Sequence, residues 1–173
     1  MLKIVLDANI FVSAVLKPHS GLTKILELVK EDKIKLTLSD DILSEIRAVF
    51  FYPKIKKRHK QTSKKIEEFL RNAARTSILT QGKIKIDQIK EDLSDNIYLS
   101  AAVEGKADFI ISGDHHLRDL KSFHGIRILD PSTFLNLMAR STEKWKGEGL
   151  MGEGWEDYWL LFSRYEWGIN IFI

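Results

Sequence analysis

Hydrophobic residues form five short runs, separated by longer stretches in which they recur every three or four positions. Short apolar runs predict buried strands, and three-to-four spacing predicts helices that bury one face. Strands that alternate with helices are typical of a parallel sheet between helical layers, so we predict an α/β fold of three layers, α/β/α. The predicted strands are residues 2–6, 34–38, 83–86, 108–112 and 126–129.

Residues at the ends of the three-to-four patterns indicate where helices begin and end. Ser20 and Ser39 are suited to cap the first turns of two helices, and the second of these should end before Pro53. Gly105 suits the position just after a helix, and Pro131 suits the start of the last one. Three further helices are predicted over residues 62–77, 95–104 and 131–139.

The composition restricts the class of protein. A chain of 173 residues, 44% hydrophobic and 29% charged, suits one globular domain with a proper core. The absence of cysteine excludes disulfides and thiolate metal sites, which favours a cytoplasmic location. No apolar run approaches the roughly 20 residues that span a bilayer, and no signal-peptide pattern precedes the first strand, so we predict no membrane association.

The net charge of +3 is unevenly distributed. Residues 141–173 contain three basic and six acidic residues, which leaves 24 basic and 18 acidic residues, or +6, in residues 1–140. Much of the positive charge lies in residues 53–65. A basic cluster of this kind attracts phosphate backbones, although a solvated loop followed by the start of a helix would have the same composition. The candidate RNA-binding residues within segment 53–65 are Lys54, Lys56, Lys57, Arg58 and Lys60.

Four acids lie where ligands bind in such folds, beyond the carboxyl ends of parallel strands. Asp7 follows the first strand, Glu45 lies on the helix after the second, Asp95 opens a later helix, and Asp114 follows the strand DFIIS. Each has a structural explanation: a turn or helix cap for Asp7 and Asp95, an exposed helix position for Glu45, and a Gly-Asp turn for Asp114. Sequence position alone does not decide between these structural roles and a role in ligand binding.

Taken together, the four acids indicate a metal site. Carboxylates that are brought close repel one another, and burying one without a partner costs several kcal/mol. A divalent cation removes this cost, and a set of oxygen ligands suits Mg²⁺ or Mn²⁺. Such sites typically serve phosphodiester hydrolysis, in which the metal activates water and stabilises the attacking and leaving oxygens.

Several segments resemble those of PIN domains, especially the VapC-like ribonuclease toxins of toxin–antitoxin pairs. The likeness covers residues 1 to about 139 in order and spacing. It departs at Ala8, where such proteins often have threonine. The segments are VLDANIFVSAVL, LSEIRAVF, DLSDNIYLSAAVEGKADFIISGD and ILDPSTFL.

The resemblance implies a PIN-like fold and Mg²⁺- or Mn²⁺-dependent cleavage of RNA. Its conserved acids fall on Asp7, Glu45, Asp95 and Asp114, with Asp92 a close competitor for the third position. Asp7, Asp95 and Asp114 would hold the metal, and Glu45 would complete the cluster directly or through water. The implied partners are an RNA substrate, a cognate antitoxin protein and a second copy in a homodimer.

Weaker candidates flank these acids. Asn9 and Ser112 would orient the acids or a metal-bound water. Alternatively, Asn9 would be an ordinary turn residue and Ser112 a hydroxyl that is satisfied at the end of its strand. His115 and His116 read as an exposed pair, and we leave them out of the predicted metal ligands. The main alternative function is a non-catalytic PIN-like module that binds RNA or protein. Phosphoacceptor domains and aspartate-nucleophile phosphatases are disfavoured, because no acidic pair precedes Asp7 and position 9 is Asn.

We predict a nuclease domain over residues 1–140 and an aromatic-rich, acidic extension over residues 141–173. The extension holds all four tryptophans, and the resemblance does not reach it. Trp155, Tyr158, Trp159 and Phe162 follow helical spacing and would form one apolar face. This face would dock on the domain itself, a second subunit or a small partner, or would belong to an ordinary terminal helix that completes the core.

Overall fold

The computed structural model describes residues 1–17, 20–59 and 61–147. Its strands are β1 (Leu2–Leu6), β2 (Ile34–Ser39), β3 (Ile78–Thr80), β4 (Phe109–Ile111), β5 (Ser122–Phe123) and β6 (Ile126–Leu129). Its helices are α1 (Ala8–Leu16), α2 (Gly21–Lys30), α3 (Asp40–Phe51), α4 (Pro53–His59), α5 (Ser63–Thr76), α6 (Asn96–Gly105), α7 (His115–Asp119) and α8 (Pro131–Gly147). A 3₁₀ turn at Leu93–Asp95 precedes α6.

The six strands form one sheet in the order β3-β2-β1-β4-β6-β5. All pairs are parallel except β5 with β6, which are antiparallel. Strands β1 and β4 lie at its centre, and Ile4, Leu6, Ile110 and Ile111 are completely inaccessible to solvent. Central strands of a parallel sheet are covered on both faces, which explains why the sequence shows them as continuous apolar runs.

Strand β2 shows how the helices form two layers. Its neighbours Leu36 and Thr37 point to opposite faces of the sheet, because side chains alternate along a strand. Thr37 lies against Gly105 of α6, whereas Leu36 lines a groove with Phe11 of α1 and Leu26 of α2. Helix α6 therefore covers one face and α1 and α2 cover the other, which confirms the predicted α/β/α fold.

Four of the five predicted strands are confirmed, and the strand predicted over residues 83–86 is wrong. In a strand, the backbone N–H groups of this segment would donate to a neighbouring strand. Here they donate to side chains of α6 instead. Glu104 accepts from Gln81 at 2.7 Å and from Ile84 at 3.2 Å, and the Ser100 hydroxyl accepts from Ile86 at 3.1 Å. The edge of the sheet is instead β3, at Ile78–Thr80, which the sequence pattern did not reveal.

The helix ends follow most of the capping signals. Ser39 caps α3 by accepting from the Ile42 N–H at 3.2 Å, and α3 ends at Phe51, before Pro53, as predicted. Ser20 precedes α2 as predicted, but its side chain makes no capping hydrogen bond. Within the described residues, no helix is long and apolar enough to cross a membrane.

The last helix extends further than predicted. Helix α8 was expected to end near residue 139, and it continues to Gly147, across the predicted domain boundary at 140. Residues 148–173, which include Trp155, Tyr158, Trp159 and Phe162 of the predicted apolar face, lie outside the described residues. The division into residues 1–140 and 141–173 stays a prediction.

We predicted Gly105 as the residue just after a helix, but it lies within α6 and is needed there for close packing. The left-handed residue is Lys106, with φ of 52°, and Gly105 is the last residue of α6. A Cβ atom at Gly105 would lie 2.4 Å from Cγ2 of Thr37 and 3.3 Å from Cγ2 of Thr80. The glycine therefore lets α6 approach β2 and β3.

Replacing Gly105 with alanine should lower the free energy of unfolding by about 1 to 3 kcal/mol, because the new methyl group must displace Thr37. Urea unfolding measures this change. Gly113→Ala is the matched control, because a Cβ there meets no atom within 4 Å. Adding Thr37→Ser to Gly105→Ala should restore part of the loss, and equal stability of Gly105→Ala and wild type would contradict the packing argument.

Candidate active site

The pairing of β1 with β4 brings two of the predicted acids to one edge of the sheet. Leu6 lies opposite Ile111 in this parallel pair, and the Asp7 N–H donates to the Ile111 carbonyl at 3.1 Å. Ser112, Gly113 and Asp114 follow immediately. Asp7 and Asp114 therefore lie at adjacent carboxyl ends, where ligands bind in such sheets.

Asp7 is held in place by three hydrogen bonds and is only 2% exposed. Its Oδ1 accepts from the Ile10 N–H at 3.1 Å, so Asp7 does cap α1. Its Oδ2 accepts from the Ser112 hydroxyl at 2.5 Å and from the Gly113 N–H at 3.1 Å. The Ser112 hydroxyl also accepts from the Asp114 N–H at 2.9 Å, so one buried serine joins both acids.

Glu45 joins this edge from α3 through a tyrosine. The buried Tyr98 hydroxyl donates to Oε2 of Glu45 at 2.6 Å and accepts from the Ala8 N–H at 3.0 Å. Burial raises the pKa of Glu45, and the charges of Asp7 and Asp92 raise it further, against the lowering effect of the Tyr98 hydrogen bond. Glu45 is therefore not the fully exposed helix residue that its position also allowed.

Tyr98 is the site residue that our sequence analysis missed. Burial and the bond to Glu45 raise the pKa of its hydroxyl far above the usual value. The hydroxyl therefore keeps its proton and acts as a fixed donor. Its position three residues after Asp95 places both on one side of the helix start, which is the signal that could have identified it.

Asp95 is buried without the capping role that its position suggested. It immediately precedes α6, but its side chain makes no capping hydrogen bond. It is 7% exposed, and Oδ2 has no hydrogen-bond partner among the described residues. Burial, followed by the negative charges of Asp114, Asp92 and Glu45, raises the pKa of Asp95 to about 6, while His116 opposes the rise.

Asp92 and Asp114 both accept from nearby backbone N–H groups. Asp92 accepts from the Ser94 N–H at 3.0 Å and from its hydroxyl at 2.6 Å, and these bonds lower the pKa of Asp92. Asp114 caps α7 by accepting from the His116 N–H at 2.8 Å. The structure thus gives Asp92 a local partner in its turn and leaves one oxygen of Asp95 without one.

The residues at this edge fit a divalent cation. A positive ion stabilises a buried carboxylate oxygen that has no donor and that experiences the negative charges of other carboxylates, as Oδ2 of Asp95 does. Among the described residues, the ligand atoms of Asp114, His115 and His116 lie within 4.8 Å of one another, and the two histidine rings are 3.8 Å apart. The structure does not bring Asp7, Glu45 or Asp95 into this set. We had left these histidines out of the predicted ligands, and their position beside Asp114 makes them further candidates.

The remaining predicted residues that the structure describes lie at the surface. Asn9 is exposed in the first turn of α1, and its orienting role stays a prediction.

Helix α4, which carries the predicted RNA-binding residues, is anchored at its end by the buried ring of His59. Nε2 of His59 forms a hydrogen bond with the Phe50 carbonyl at 3.0 Å, and Nδ1 accepts from the Gln61 N–H at 2.9 Å. The predicted RNA-binding residues that are described are all exposed on α4, and Lys60 lies outside the described residues. They are Lys54, Lys56, Lys57 and Arg58.

The fold and this edge define an α/β domain with an acidic site at the carboxyl ends of its central strands. Residues 3–116 match the family model of the PIN domain, and this range includes Asp7, Glu45, Asp95 and Asp114. The chain belongs to the PIN-domain family.

Two individual proteins illustrate the likeness. The chain is 32% identical over 120 residues to the uncharacterized protein MJ1680 of Methanocaldococcus jannaschii, which covers 69% of this chain and 76% of that protein. It is also similar, at 16% identity and a TM-score of 0.42, to a crystal structure of VapBC2 from Rickettsia felis bound to a DNA fragment from their promoter. That match covers 73% of this chain and 97% of the other. The family assignment rests on the match to the PIN-domain model over residues 3–116.

Asp95 should make stability depend on pH in the presence of EDTA. Its pKa rises from 3.8 to about 6 on folding, so the folded protein binds more protons between these values. The free energy of unfolding should therefore fall as the pH rises through this window, by about 3 kcal/mol at most. Asp95→Asn removes this contribution, so the variant should be more stable than wild type at pH 7 and similar to it near about pH 4.

Urea unfolding at a series of pH values measures both proteins, with the exposed Asp40→Asn as the control. Mn²⁺ should then stabilise wild type more than Asp95→Asn, because a bound ion replaces the missing partner of Oδ2. A stability difference between Asp95→Asn and wild type that is constant from pH 4 to pH 7 would rule out ionisation as its cause.

Proposed function

We propose that this protein is an Mg²⁺- or Mn²⁺-dependent endoribonuclease that hydrolyses RNA phosphodiester bonds. The observation that carries the proposal is Oδ2 of Asp95, a buried carboxylate oxygen with no hydrogen-bond partner, which lies in the field of Asp114, Asp92 and Glu45. A domain that needed these acids only for its fold would gain stability by replacing Asp95 with a neutral residue. Retaining the charge at this position is consistent with cation binding.

Asp7, Asp95 and Asp114 are the proposed metal ligands, with Glu45 beside them. The Ser112 hydroxyl and the Gly113 N–H hold Oδ2 of Asp7 in place before an ion arrives, which reduces the reorganisation that binding requires. A bound divalent ion supplies positive charge that stabilises the developing negative charge on phosphate oxygens and favours ionisation of a nearby water. The side chains themselves form no covalent bond to the substrate.

Glu45 is the acid that we assign to proton transfer. Its raised pKa makes it a better proton acceptor than an ordinary surface carboxylate. The Tyr98 hydroxyl fixes Oε2 at 2.6 Å and, through the Ala8 N–H, ties Glu45 to the start of α1. Tyr98 is thus a positioning residue that keeps Glu45 directed toward the edge that carries Asp7.

RNA is the proposed substrate, and the exposed basic side chains of α4 are its proposed contacts. A lysine- and arginine-rich helix binds phosphates without reading sequence, so it would position the strand and leave the choice of cleavage site to other contacts. The resemblance of the quoted segments to VapC-like toxins supports a further assignment, to the toxin component of a toxin–antitoxin pair with a cognate antitoxin protein. A homodimer stays a prediction.

RNA incubated with the protein and Mn²⁺ should be cut, and Asp7→Asn should lower the rate on the order of 100-fold or more by removing a ligand charge. Asparagine can still cap α1 through Oδ1, but its amide nitrogen cannot accept from the Gly113 N–H, so circular dichroism checks that the variant is folded. Gel analysis of labelled RNA measures the rate, with Asp40→Asn as the control for loss of one exposed charge. Binding of RNA without any cutting would favour the non-catalytic module, and cutting that survives both EDTA and Asp7→Asn would reject the mechanism.

Replacing Lys54, Lys57 and Arg58 with glutamine should weaken RNA binding and make it less sensitive to salt. For single-stranded RNA, each lost phosphate contact lowers the slope of log affinity against log salt by about 0.7, so three should lower it by about 2. Fluorescence anisotropy with Asp7→Asn protein measures binding without cleavage. Removing the same charge at the exposed Lys83, Lys106 and Lys121 should leave the slope nearly unchanged. Equal effects of the two triple variants would reject α4 as the RNA contact.

A further inference from the structure

A groove separates α2 from α5 on the face of the sheet opposite α6. It has a volume of about 780 Å³, and its walls come from α1, α2, α5 and the first residues of β2 and β3. None of the four proposed site acids lines it. The apolar residues of its floor and walls are Phe11, Leu26, Val29, Leu36, Phe69 and Ile78.

The rim of this groove is basic. Lys30, Lys35 and Arg75 line it together with one acid, Asp32, which pairs with Lys35. The formal charge of the rim is therefore +2. A partner that fits this groove has an apolar face and an excess of acidic residues beside that face.

We infer that this groove binds the C-terminal segment of the same chain, residues 148–173. The segment contains five acidic residues and one arginine, a formal charge of −4, which complements the rim. Trp155, Tyr158, Trp159 and Phe162 recur at the spacing that places side chains on one face of a helix. Glu156 flanks that face, where it can approach the basic rim.

The attachment of the segment favours it over a separate partner. Helix α8 packs on α2, a wall of the groove: a Cβ atom at Gly21 of α2 would lie 3.2 Å from Cδ1 of Leu135. The described chain ends at Gly147, so the segment starts from a helix that adjoins the groove wall. The seven residues 148–154 that precede Trp155 can extend up to roughly 25 Å. A short connection also raises the effective concentration of the segment into the millimolar range, roughly.

Tryptophan fluorescence tests this inference directly, because all four tryptophans lie at or after residue 145 and no tryptophan belongs to the lining of the groove. The full-length protein should emit at shorter wavelength than the denatured chain and should resist quenching by acrylamide. Ala73→Glu places a charge in the groove and should shift the emission to the red and raise the quenching constant. Ala74→Glu, the next residue of α5, does not line the groove and should leave both unchanged.

Circular dichroism checks that each variant is folded. If Ala73→Glu does not fold, Lys30→Glu with Arg75→Glu tests the rim instead, with Lys106→Glu and Lys121→Glu as the control pair. Equal changes of emission wavelength and quenching constant in the groove variants and in the control variants would overturn the inference. A wild-type emission that already matches that of the denatured chain would also overturn it. A blue shift that vanishes on dilution, with a dimeric mass by light scattering, would assign the groove to a second copy and also overturn it. An emission that is independent of protein concentration is the expected result.

Discussion

The register between β1 and β4 places Leu6 opposite Ile111, and it thereby positions the residues that follow each strand at the site. Because both strands run in the same direction and end at the same level, Asp7 emerges beside Ser112 and Gly113. A shift of one residue in this pairing would move the Ser112 hydroxyl away from Oδ2 of Asp7 and would turn the alternating side chains to the wrong face. The buried apolar residues of β1 and β4 make such a shift costly, so the core itself holds the site in place.

The site works against the stability of the domain that carries it. Asp95 and Glu45 are both harder to ionise than ordinary acids, chiefly because they are buried and then because other acids face them. Asp7 is less exposed than either of these acids, and three donors in the protein satisfy its carboxylate. The cluster therefore contains Asp7, whose two oxygens both accept hydrogen bonds from the protein, and two acids, Asp95 and Glu45, that protein donors satisfy only in part. These hydrogen bonds hold Asp7 in place before an ion arrives, whereas a cation would provide the missing partner of Asp95 and reduce the repulsion among the acids.

The sequence allowed prediction of those features that depend on local pattern. The apolar runs before Asp7 and Asp114 located both strand ends, and Ser39 located the start of the helix that carries Glu45. Prediction failed where a distant side chain decides the backbone structure, as for residues 83–86, whose N–H groups bind Glu104 and Ser100. It also missed the bridge that Tyr98 makes between Glu45 and Ala8, since that bridge exists only once α3, α6 and the start of α1 are packed together.

The groove and the acidic edge use opposite chemistry and lie on different parts of the sheet. The strand residues that line the groove, Lys35, Leu36 and Ile78, belong to the first half of β2 and the start of β3, whereas the acids follow the carboxyl ends of β1 and β4. A segment bound in the groove would contact a basic rim and an apolar floor without touching any of the four acids. Occupation of the groove is therefore compatible with an open acidic edge, and the two proposals can fail separately. Loss of cleavage in Asp7→Asn should leave tryptophan emission unchanged, because the groove contains neither that carboxylate nor its hydrogen-bond partners.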